Sequence, residues 1–297
     1  NGGAIALTIT GNASIGGAIT NVTNLSVSGT STIGANVTTT GTQTYSGAVT
    51  VSGSGTRTLT GTTVTNSSTL DGGAIALTIT GNASIGGAIT NVTNLSVSGT
   101  STIGANVTTT GTQTYTGAVT LGANTTLTTT DSNITFSSTL NADIAGRTLT
   151  ISQGLGDITF AGAVGGSNAL GNITITTDVL TAAAIKLQGT LSITNAGASS
   201  ITGIISDGAT AAILNKAGTG TLTLTATNTY SGLTTISAGA LKLGNNTATG
   251  TINNSNIENN SQLIFDFSVD TTISSTISGT GTVEIVGREF TLWSSST

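Results

Sequence analysis

The residues best placed for chemistry are two carboxylates near the C-terminal end of the sequence, Asp266 and Asp270. Their alternation with Phe265 and Phe267 predicts a strand with both phenylalanines inward and both aspartates outward on one face. Four residues along a strand separate two Cα atoms by about 13 Å. Glycosidase carboxyl groups lie about 5–5.5 Å or 6.5–9.5 Å apart. The spacing therefore favours a solvated strand face over a hydrolase site.

The other candidate groups form no site-like pattern. The cationic side chains are too dispersed to predict the basic cluster of a polysaccharide-degrading groove. They are Arg57, Arg147, Lys186, Lys216, Lys242 and Arg288. Residues 154–157 are one partial copy of a calcium-binding unit that works only in tandem arrays, and a tight turn explains them equally well. Three N-x-Ser/Thr sequons begin at Asn12, Asn21 and Asn24, but a chain rich in Asn and Thr produces these by chance.

The composition excludes most remaining chemistry. The 297 residues include no His, Cys, Met or Pro, with 6 Lys+Arg against 11 Asp+Glu. A Ser-His-Asp triad, a thiol nucleophile, a thiolate or imidazole metal site and a disulfide framework are all excluded. A net charge of −5 with scattered bases argues against a nucleic-acid surface. We therefore predict no enzyme activity, no catalytic, metal or cofactor-binding residue, no cofactor and no nucleic-acid partner.

A long internal repeat indicates what must position these residues. Residues 2–50 recur at 72–120 with one change, Ser46 to Thr116. Within each copy apolar and polar residues alternate, as in 5–10, and Gly- or Asn-containing turns separate the short runs. A repeat of this kind predicts strands that bury their apolar face by stacking on neighbouring coils.

The second half keeps the rhythm without the identity. Pairs of apolar residues predict successive rungs at mostly 18–24-residue steps, with a further rung around 201–205. These pairs are Leu149/Ile151, Ile173/Ile175, Leu191/Ile193, Leu222/Leu224, Leu241/Leu243, Leu263/Phe265 and Val283/Ile285. Roughly 22 residues per coil gives about 13 coils of a β-solenoid. The absence of Pro fits stacked strands in which every backbone N–H donates to a neighbouring strand. Tandem β-sandwiches are disfavoured, because they would need larger cores than 3% aromatic residues supply.

Two aromatic features favour structural roles. Tyr45, Tyr115 and Tyr230 recur at equivalent repeat positions, which predicts packing inside the coils rather than contact with a glycan. Residues 258–293 are richer in charge and in aromatic side chains, including Trp293, than the preceding coils. This composition predicts a terminal coil that is capped or that docks on a partner. No run approaches 18 apolar residues, so no membrane-spanning segment is predicted.

Residues 217–244 carry a family resemblance. The segment resembles the autotransporter-associated β-strand repeat of type V secreted bacterial passengers. The matching positions are Gly218, Gly220, Leu222, Leu224, Asn228, Thr229, Tyr230, Ser231, Gly232, Ile236, Gly239, Leu241 and Leu243. Residues 42–50 and 158–166 are similar to the repeats of filamentous-haemagglutinin-like adhesins. The resemblance implies a right-handed parallel β-helix, secretion across the outer membrane, and adhesive, aggregative or surface-layer roles.

We thus expect one all-β solenoid over 1–297, with near-identical repeats in 1–130, diverged coils in 131–257 and terminal coils in 258–297. The chain opens within the repeat pattern, which we interpret as a processed or excised piece of a longer protein. The leading hypothesis is a non-enzymatic extracellular rod, part of a large bacterial surface adhesin. Its partner would be a host, neighbouring-cell or matrix surface, glycan or protein.

Three alternatives remain open. Uncapped end coils would let copies stack into an extracellular filament or sheath. An ice- or crystal-binding surface would need regular Thr rows, of which Thr221, Thr223 and Thr225 predict only a local one. A carbohydrate-active enzyme is the least favoured of the three.

Overall fold

The computed structural model describes residues 5–248, 250–252, 254–287 and 290–292. Every regular element in this part of the chain is a β-strand, which confirms the all-β prediction. Most strands are three to six residues long and follow a buried–outward–buried pattern, because Gly, Ser and Asn interrupt each apolar alternation. None of the described residues lies in a helix long and apolar enough to cross a membrane.

The chain divides into two compact units, Asn1–Ser138 and Thr139–Thr297. The strands of the first unit are β1 (Ile5–Ile9), β2 (Ala13–Ile15), β3 (Ile19–Val27), β4 (Ser31–Ile33), β5 (Val37–Thr39), β6 (Thr42–Tyr45), β7 (Val49–Val51), β8 (Arg57–Asn66), β9 (Leu70–Ile85), β10 (Ile89–Val97), β11 (Ser101–Ile103), β12 (Val107–Thr109), β13 (Gln113–Tyr115), β14 (Val119–Leu121), β15 (Thr125–Thr128) and β16 (Ile134–Phe136). Those of the second are β17 (Leu140–Ala142), β18 (Leu149–Ser152), β19 (Ile158–Phe160), β20 (Ile173–Thr177), β21 (Leu180–Ala182), β22 (Ile185–Leu187), β23 (Thr190–Asn195), β24 (Ser199–Ile201), β25 (Ile205–Asp207), β26 (Ile213–Ala217), β27 (Thr221–Leu224), β28 (Thr227–Asn228), β29 (Thr234–Ile236), β30 (Ala240–Leu243), β31 (Thr251–Ile252), β32 (Ile257–Asn259), β33 (Gln262–Phe267), β34 (Thr271–Ile273), β35 (Ile277–Ser278), β36 (Thr282–Gly287) and β37 (Phe290–Leu292).

Parallel pairing between successive coils defines the fold. Leu7 pairs with Leu25, and Leu25 pairs with Gln43, so each strand lies beside a strand one coil later in the chain. The described coils are parallel β-solenoid turns, about 14 in all, which confirms the predicted β-solenoid architecture of about 13 coils. The right-handed sense and the single solenoid over 1–297 stay predictions.

Three columns of in-register strands form three faces in the first unit. The stacked positions of face I are Leu7, Leu25, Gln43, Val64, Ala83, Ser101 and Val119. Those of face II are Ala13, Ser31, Val49, Leu70, Ile89 and Val107. Those of face III are Val37, Leu59, Ile79, Val97, Tyr115 and Phe136. From the second coil onward most of these side chains are buried, so the core runs between the faces.

The 70-residue sequence repeat does not span a whole number of turns. Starting from Leu7, three turns reach Val64 and the fourth reaches Ala83 on face I. The residue equivalent to Leu7 in the second copy is Leu77, which lies between these two positions and pairs with Arg57 on face III. One repeat therefore covers about three and two-thirds turns, and identical segments occupy different faces.

The second unit stacks in the same way, and the predicted rungs belong to two columns, one through 149, 173 and 191 and one through 222, 241, 263 and 283. In the first column Leu191 and Ile193 pair with Leu214 and Lys216 and not with the rung expected around 201–205. Leu222 instead stacks on Ser199 in a second column. The step between 193 and 222 therefore spans one coil plus an additional strand. The sequence does not show this, because all three strands of a coil carry the same apolar alternation.

The extra rung expected around 201–205 is likewise divided between two faces. Ile201 lies beside Leu224 in the second column, whereas Ile205 pairs with Ile185 in a separate two-stranded sheet. These two residues therefore belong to successive strands of one coil and not to one rung.

Candidate functional site

The proposed carboxylate pair does not form a site. Asp266 is buried, and its Oδ2 atom lies 2.5 Å from Nζ of Lys242 in the preceding coil. Asp270 is exposed beyond the end of β33. Phe265 and Phe267 are buried, as predicted, with ring centroids 5.7 Å apart. The expectation of two solvated carboxylates was therefore wrong for Asp266, which is one half of a largely buried ion pair.

Two of the three arginines have local partners, and the third lies outside the described residues. Nε of Arg147 lies 2.8 Å from Oδ1 of Asp143, and this contact lowers the pKa of that exposed carboxyl to about 2. Arg57 is buried and donates from Nη2 to the carbonyl oxygen of Ser52 at 2.7 Å. Arg288 lies outside the described residues. These contacts stabilise turns and assemble no cationic groove.

Lys216 is the one lysine that the described structure buries completely. Its Nζ donates to the carbonyl oxygens of Ala217, Gly218 and Ala238 at 2.7, 3.0 and 3.2 Å. Burial lowers the pKa of its ammonium group to about 8, because the charged form loses its hydration. The side chain is buried and its ammonium group is hydrogen-bonded to three backbone carbonyls, so it serves the fold.

The segment considered for calcium is a turn. Gly154 has φ +60°, and the N–H of Gly156 donates to the carbonyl of Gln153. Oδ1 of Asp157 accepts the N–H of Val179 at 3.2 Å, one coil later. Over the described ranges no three Asp or Glu side chains come together as metal ligands.

The most regular polar device is a set of asparagines that sequence reasoning missed, which we call the asparagine clamps. In each, Oδ1 of an Asn accepts the backbone N–H of a Thr in the following coil at 2.8–3.0 Å. The clamp pairs are Asn12/Thr30, Asn24/Thr42, Asn36/Thr58, Asn82/Thr100, Asn94/Thr112, Asn106/Thr126 and Asn172/Thr190. Two of the three sequon asparagines, Asn12 and Asn24, are clamps, which gives those motifs a structural explanation.

A Gly-Thr pair marks five of the seven clamps in the sequence, whereas Thr58 and Thr126 follow Arg57 and Thr125. A Cβ on Gly41 would lie 2.3 Å from Oδ1 of Asn24, and one on Gly111 equally close to Oδ1 of Asn94. At these two positions a side chain would collide with the clamp oxygen, so glycine is required there. The 12-residue spacing of Asn12, Asn24 and Asn36 places successive clamps at different corners of the coil.

All three tyrosines are inside the protein, which confirms their predicted packing role. Tyr45 and Tyr115 donate to Oε1 of Gln43 and Gln113 at 3.0 and 3.1 Å. The hydroxyl of Tyr230 is hydrogen-bonded to that of Thr234 at 2.7 Å. The three rings are no more than 1% exposed, and burial raises the pKa of each phenol above its usual range.

The outward surface of the first unit carries regular rows of hydroxyl groups, where the sequence had predicted only a local row at Thr221–Thr225. On face I two outward positions of each strand carry Thr or Ser through four successive coils. This first hydroxyl grid consists of Thr8/Thr10, Ser26/Ser28, Thr44/Ser46 and Thr65/Ser67. All eight side chains are half-buried or exposed.

A second hydroxyl grid lies on face III and spans five coils. It consists of Thr58/Thr60, Thr78/Thr80, Ser96/Ser98, Thr114/Thr116 and Thr135/Ser137. Neither grid contains a charged residue. The only charged residues in 1–130 are Arg57, which is buried, and Asp71, which lies on face II. In-register strands space the hydroxyls about 4.8 Å along each column and about 7 Å between the two columns.

The second unit contains the coil with the family resemblance. Asn228 accepts the N–H of Ile205 at 2.9 Å and donates to the carbonyl of Thr251 at 3.1 Å, which joins three successive coils. Ser231 donates from Oγ to Oδ2 of Asp207 at 2.7 Å.

Close backbone contact explains the glycines of this motif. A Cβ on Gly232 would lie only 2.3 Å from the carbonyl oxygen of Ala212, and one on Gly220 only 2.1 Å from that of Gly197. In the motif Asn-Thr-Tyr-Ser-Gly, the Asn therefore links neighbouring coils and the Tyr ring packs in the core. The Ser hydrogen-bonds to an aspartate of the preceding coil, and the Gly allows two backbone segments to approach closely.

The fold of the described residues defines the class, which is a parallel β-solenoid. Residues 214–243 match the family model of the passenger-associated-transport-repeat, which is typical of autotransporter passenger domains. The match covers the coil that also shows the sequence resemblance. No curated protein and no solved structure matches the chain.

Proposed function

We propose that this chain is part of the passenger of an autotransporter-type secreted bacterial protein, and that it acts outside the cell as a structural and adhesive segment. The observation that carries the proposal is the repeat at 214–243, which forms one coil of the parallel stack and part of the next. Asn228, Tyr230 and Gly232 of this segment join or pack the coils, as expected for a passenger whose function is to present a surface.

The charged groups support a role without catalysis. Lys216, Lys242 and Asp266 are engaged in core or ion-pair contacts, and Arg147 is paired with Asp143. The hydroxyl grids instead offer broad, uncharged contact with another surface. The partner is the surface of a host cell, a neighbouring cell or the matrix, bound through many weak contacts.

The location is tested in the cells that produce the protein. Antibodies raised against the purified chain should label intact cells, and protease added outside should remove the labelling. The purified, fluorescently tagged chain should also attach to cells of the same strain or of a host. Labelling that appears only after the cells are permeabilised would refute the proposal.

A second candidate is end-to-end assembly into an extracellular filament. Val283 and Ile285 continue columns whose preceding members, Leu263 and Phe265, are fully buried, yet they are 45% and 54% exposed. A strand from a second copy that stacked there would cover them and would form a heterologous, non-closing contact. Electron microscopy over a concentration series tests this candidate. It predicts fibres that lengthen with concentration, and particles of constant length would dismiss it.

A further inference from the structure

The two sequence copies place the same outward surface on two different faces. Thr44 of the first copy lies on face I, whereas its equivalent, Thr114, lies on face III. The cause is the repeat length of about three and two-thirds turns. A duplication of four whole turns would have extended one grid along one face.

The junction between the copies determines this arrangement. After Thr44, the face I column continues to Thr65 and then to Ser84. Ser84 is equivalent to Ser14, a face II residue of the first copy. Face I is therefore formed by one segment of the repeat in the first copy and by a different segment in the second copy. The grid segment of the second copy lies on face III.

We propose that the two hydroxyl grids are two equivalent binding faces for uncharged polysaccharide, so that one chain can bridge two polymer strands or two coated surfaces. The inference rests on the proposed function and assigns a ligand class and a valency to it. Ser and Thr hydroxyls both donate and accept hydrogen bonds, as sugar hydroxyls do. Hydroxyl groups about 4.8 Å apart along a column and about 7 Å apart between columns match the scale of a sugar ring.

The absence of charged side chains from both grids indicates the class of ligand. Neither grid contains a cation that could attract a sulfated or uronic-acid polymer, a phosphate or a nucleic acid. No aromatic ring belongs to either grid, so binding depends on repeated hydrogen bonds. Each such contact is weak in water, and affinity comes from a polymer that engages several coils at once.

The face assignment is tested with cysteine pairs, because the chain contains no Cys of its own. Thr65→Cys with Ser84→Cys places two thiols on adjacent coils of face I, and a short bifunctional thiol reagent should link them within one chain. The matched control, Thr65→Cys with Thr78→Cys, places the second thiol on face III and should not be linked. Efficient linkage of the control pair, or none of the first pair, would overturn the two-face arrangement.

Binding is tested on beads coated with dextran, galactomannan, cellulose fragments or chitin fragments. The unmodified chain should bind at least one coating and should clump those beads. The first-grid variant carries Ser26→Lys, Thr44→Lys and Thr65→Lys, and the second-grid variant carries Thr78→Lys, Ser96→Lys and Thr114→Lys. Each should still bind single beads but lose clumping, and the combined variant should bind at least tenfold more weakly. The face II control, Ser14→Lys with Thr32→Lys and Thr50→Lys, adds the same charge and should clump like the unmodified chain.

The outcomes separate this inference from the function on which it rests. Binding to none of the four coatings, or clumping that persists in both single-grid variants, would overturn the inference. Attachment to cells would in that case leave the proposed function standing. Ice shaping or thermal hysteresis by the unmodified chain, without polysaccharide binding, would assign the grids to an ice lattice and would also overturn it. Circular dichroism of each variant excludes misfolding as the cause of a loss.

Discussion

Alkaline pH should unfold this protein through its tyrosines. The sequence has only three, and all three are buried with a raised phenol pKa. In the unfolded chain a tyrosine ionises near pH 10. Above that pH the unfolded state releases protons that the folded state retains, so the free energy of unfolding falls as pH rises. Below pH 10 both states are protonated, and this contribution to stability is fully present.

The magnitude follows from proton linkage. Each retained proton lowers the free energy of unfolding by about 1.4 kcal/mol per pH unit above the unfolded pKa. For Tyr45 and Tyr115 together the slope in the first unit is about 2.7 kcal/mol per pH unit, and for Tyr230 in the second it is about 1.4. One unit above pH 10, the three tyrosines together should have removed about 4 kcal/mol, which is comparable with the whole stability of many domains.

Tyrosinate absorbance followed against pH, in parallel with far-ultraviolet circular dichroism, measures this effect. No exposed tyrosine contributes a background, so absorbance and loss of strand signal should rise together, steeply and well above pH 10. In Tyr45→Phe/Tyr115→Phe, which keeps both rings, the first unit should lose its steep alkaline dependence. The reasoning is refuted if the phenols titrate near pH 10 while the strand signal is unchanged, because the tyrosines would then be accessible in the folded state.

Three further predictions concern single contacts, each measured by denaturant unfolding. Burial depresses the pKa of Lys216 to about 8, whereas the pKa of a lysine in the unfolded chain is 10.5. The free energy of unfolding should therefore rise with pH between these two values, because the unfolded state binds the additional proton. Lys216→Met should remove that rise, and an unchanged pH profile would contradict the assignment. Asn24→Ala should cost about 1 kcal/mol through the lost clamp, and Gly41→Ala should cost more, since its Cβ would lie 2.3 Å from the clamp oxygen; equal costs would argue against the clamp. Lys242→Met should cost about 3 kcal/mol, because it leaves the carboxylate of Asp266 buried without its partner; Lys242→Met/Asp266→Leu should recover much of this, and a neutral single variant would show that the pair is solvated.

The local structure was predictable because its determinants are local. Short strands are indicated by apolar alternation and by the turn residues between them. The absence of Pro indicates that their backbone N–H groups are all needed for hydrogen bonds between strands. The parallel stacking follows from the regular recurrence of these strands. The inward direction of Phe265 and Phe267, and the burial of the tyrosines, follow from the same alternation.

The phase of the coils was not predictable in this way. Every strand in a coil carries the same alternation, so the sequence places the rung after Leu191 around 201–205, although Leu214 holds that position. The faces are distinguished by where the turns lengthen, and that becomes visible only when pairing is known. The burial of Asp266 was missed for a related reason, since its partner, Lys242, lies one coil away in space but 24 residues away in sequence.

The asparagine clamps also have a direction. In every clamp the acceptor belongs to the earlier coil and the donor to the later one. Each clamp closes a loop of only about 20 residues, for which the entropic cost is small. A coil that has formed therefore offers bonding groups to the coil on either side, and folding can spread from it one layer at a time in both directions.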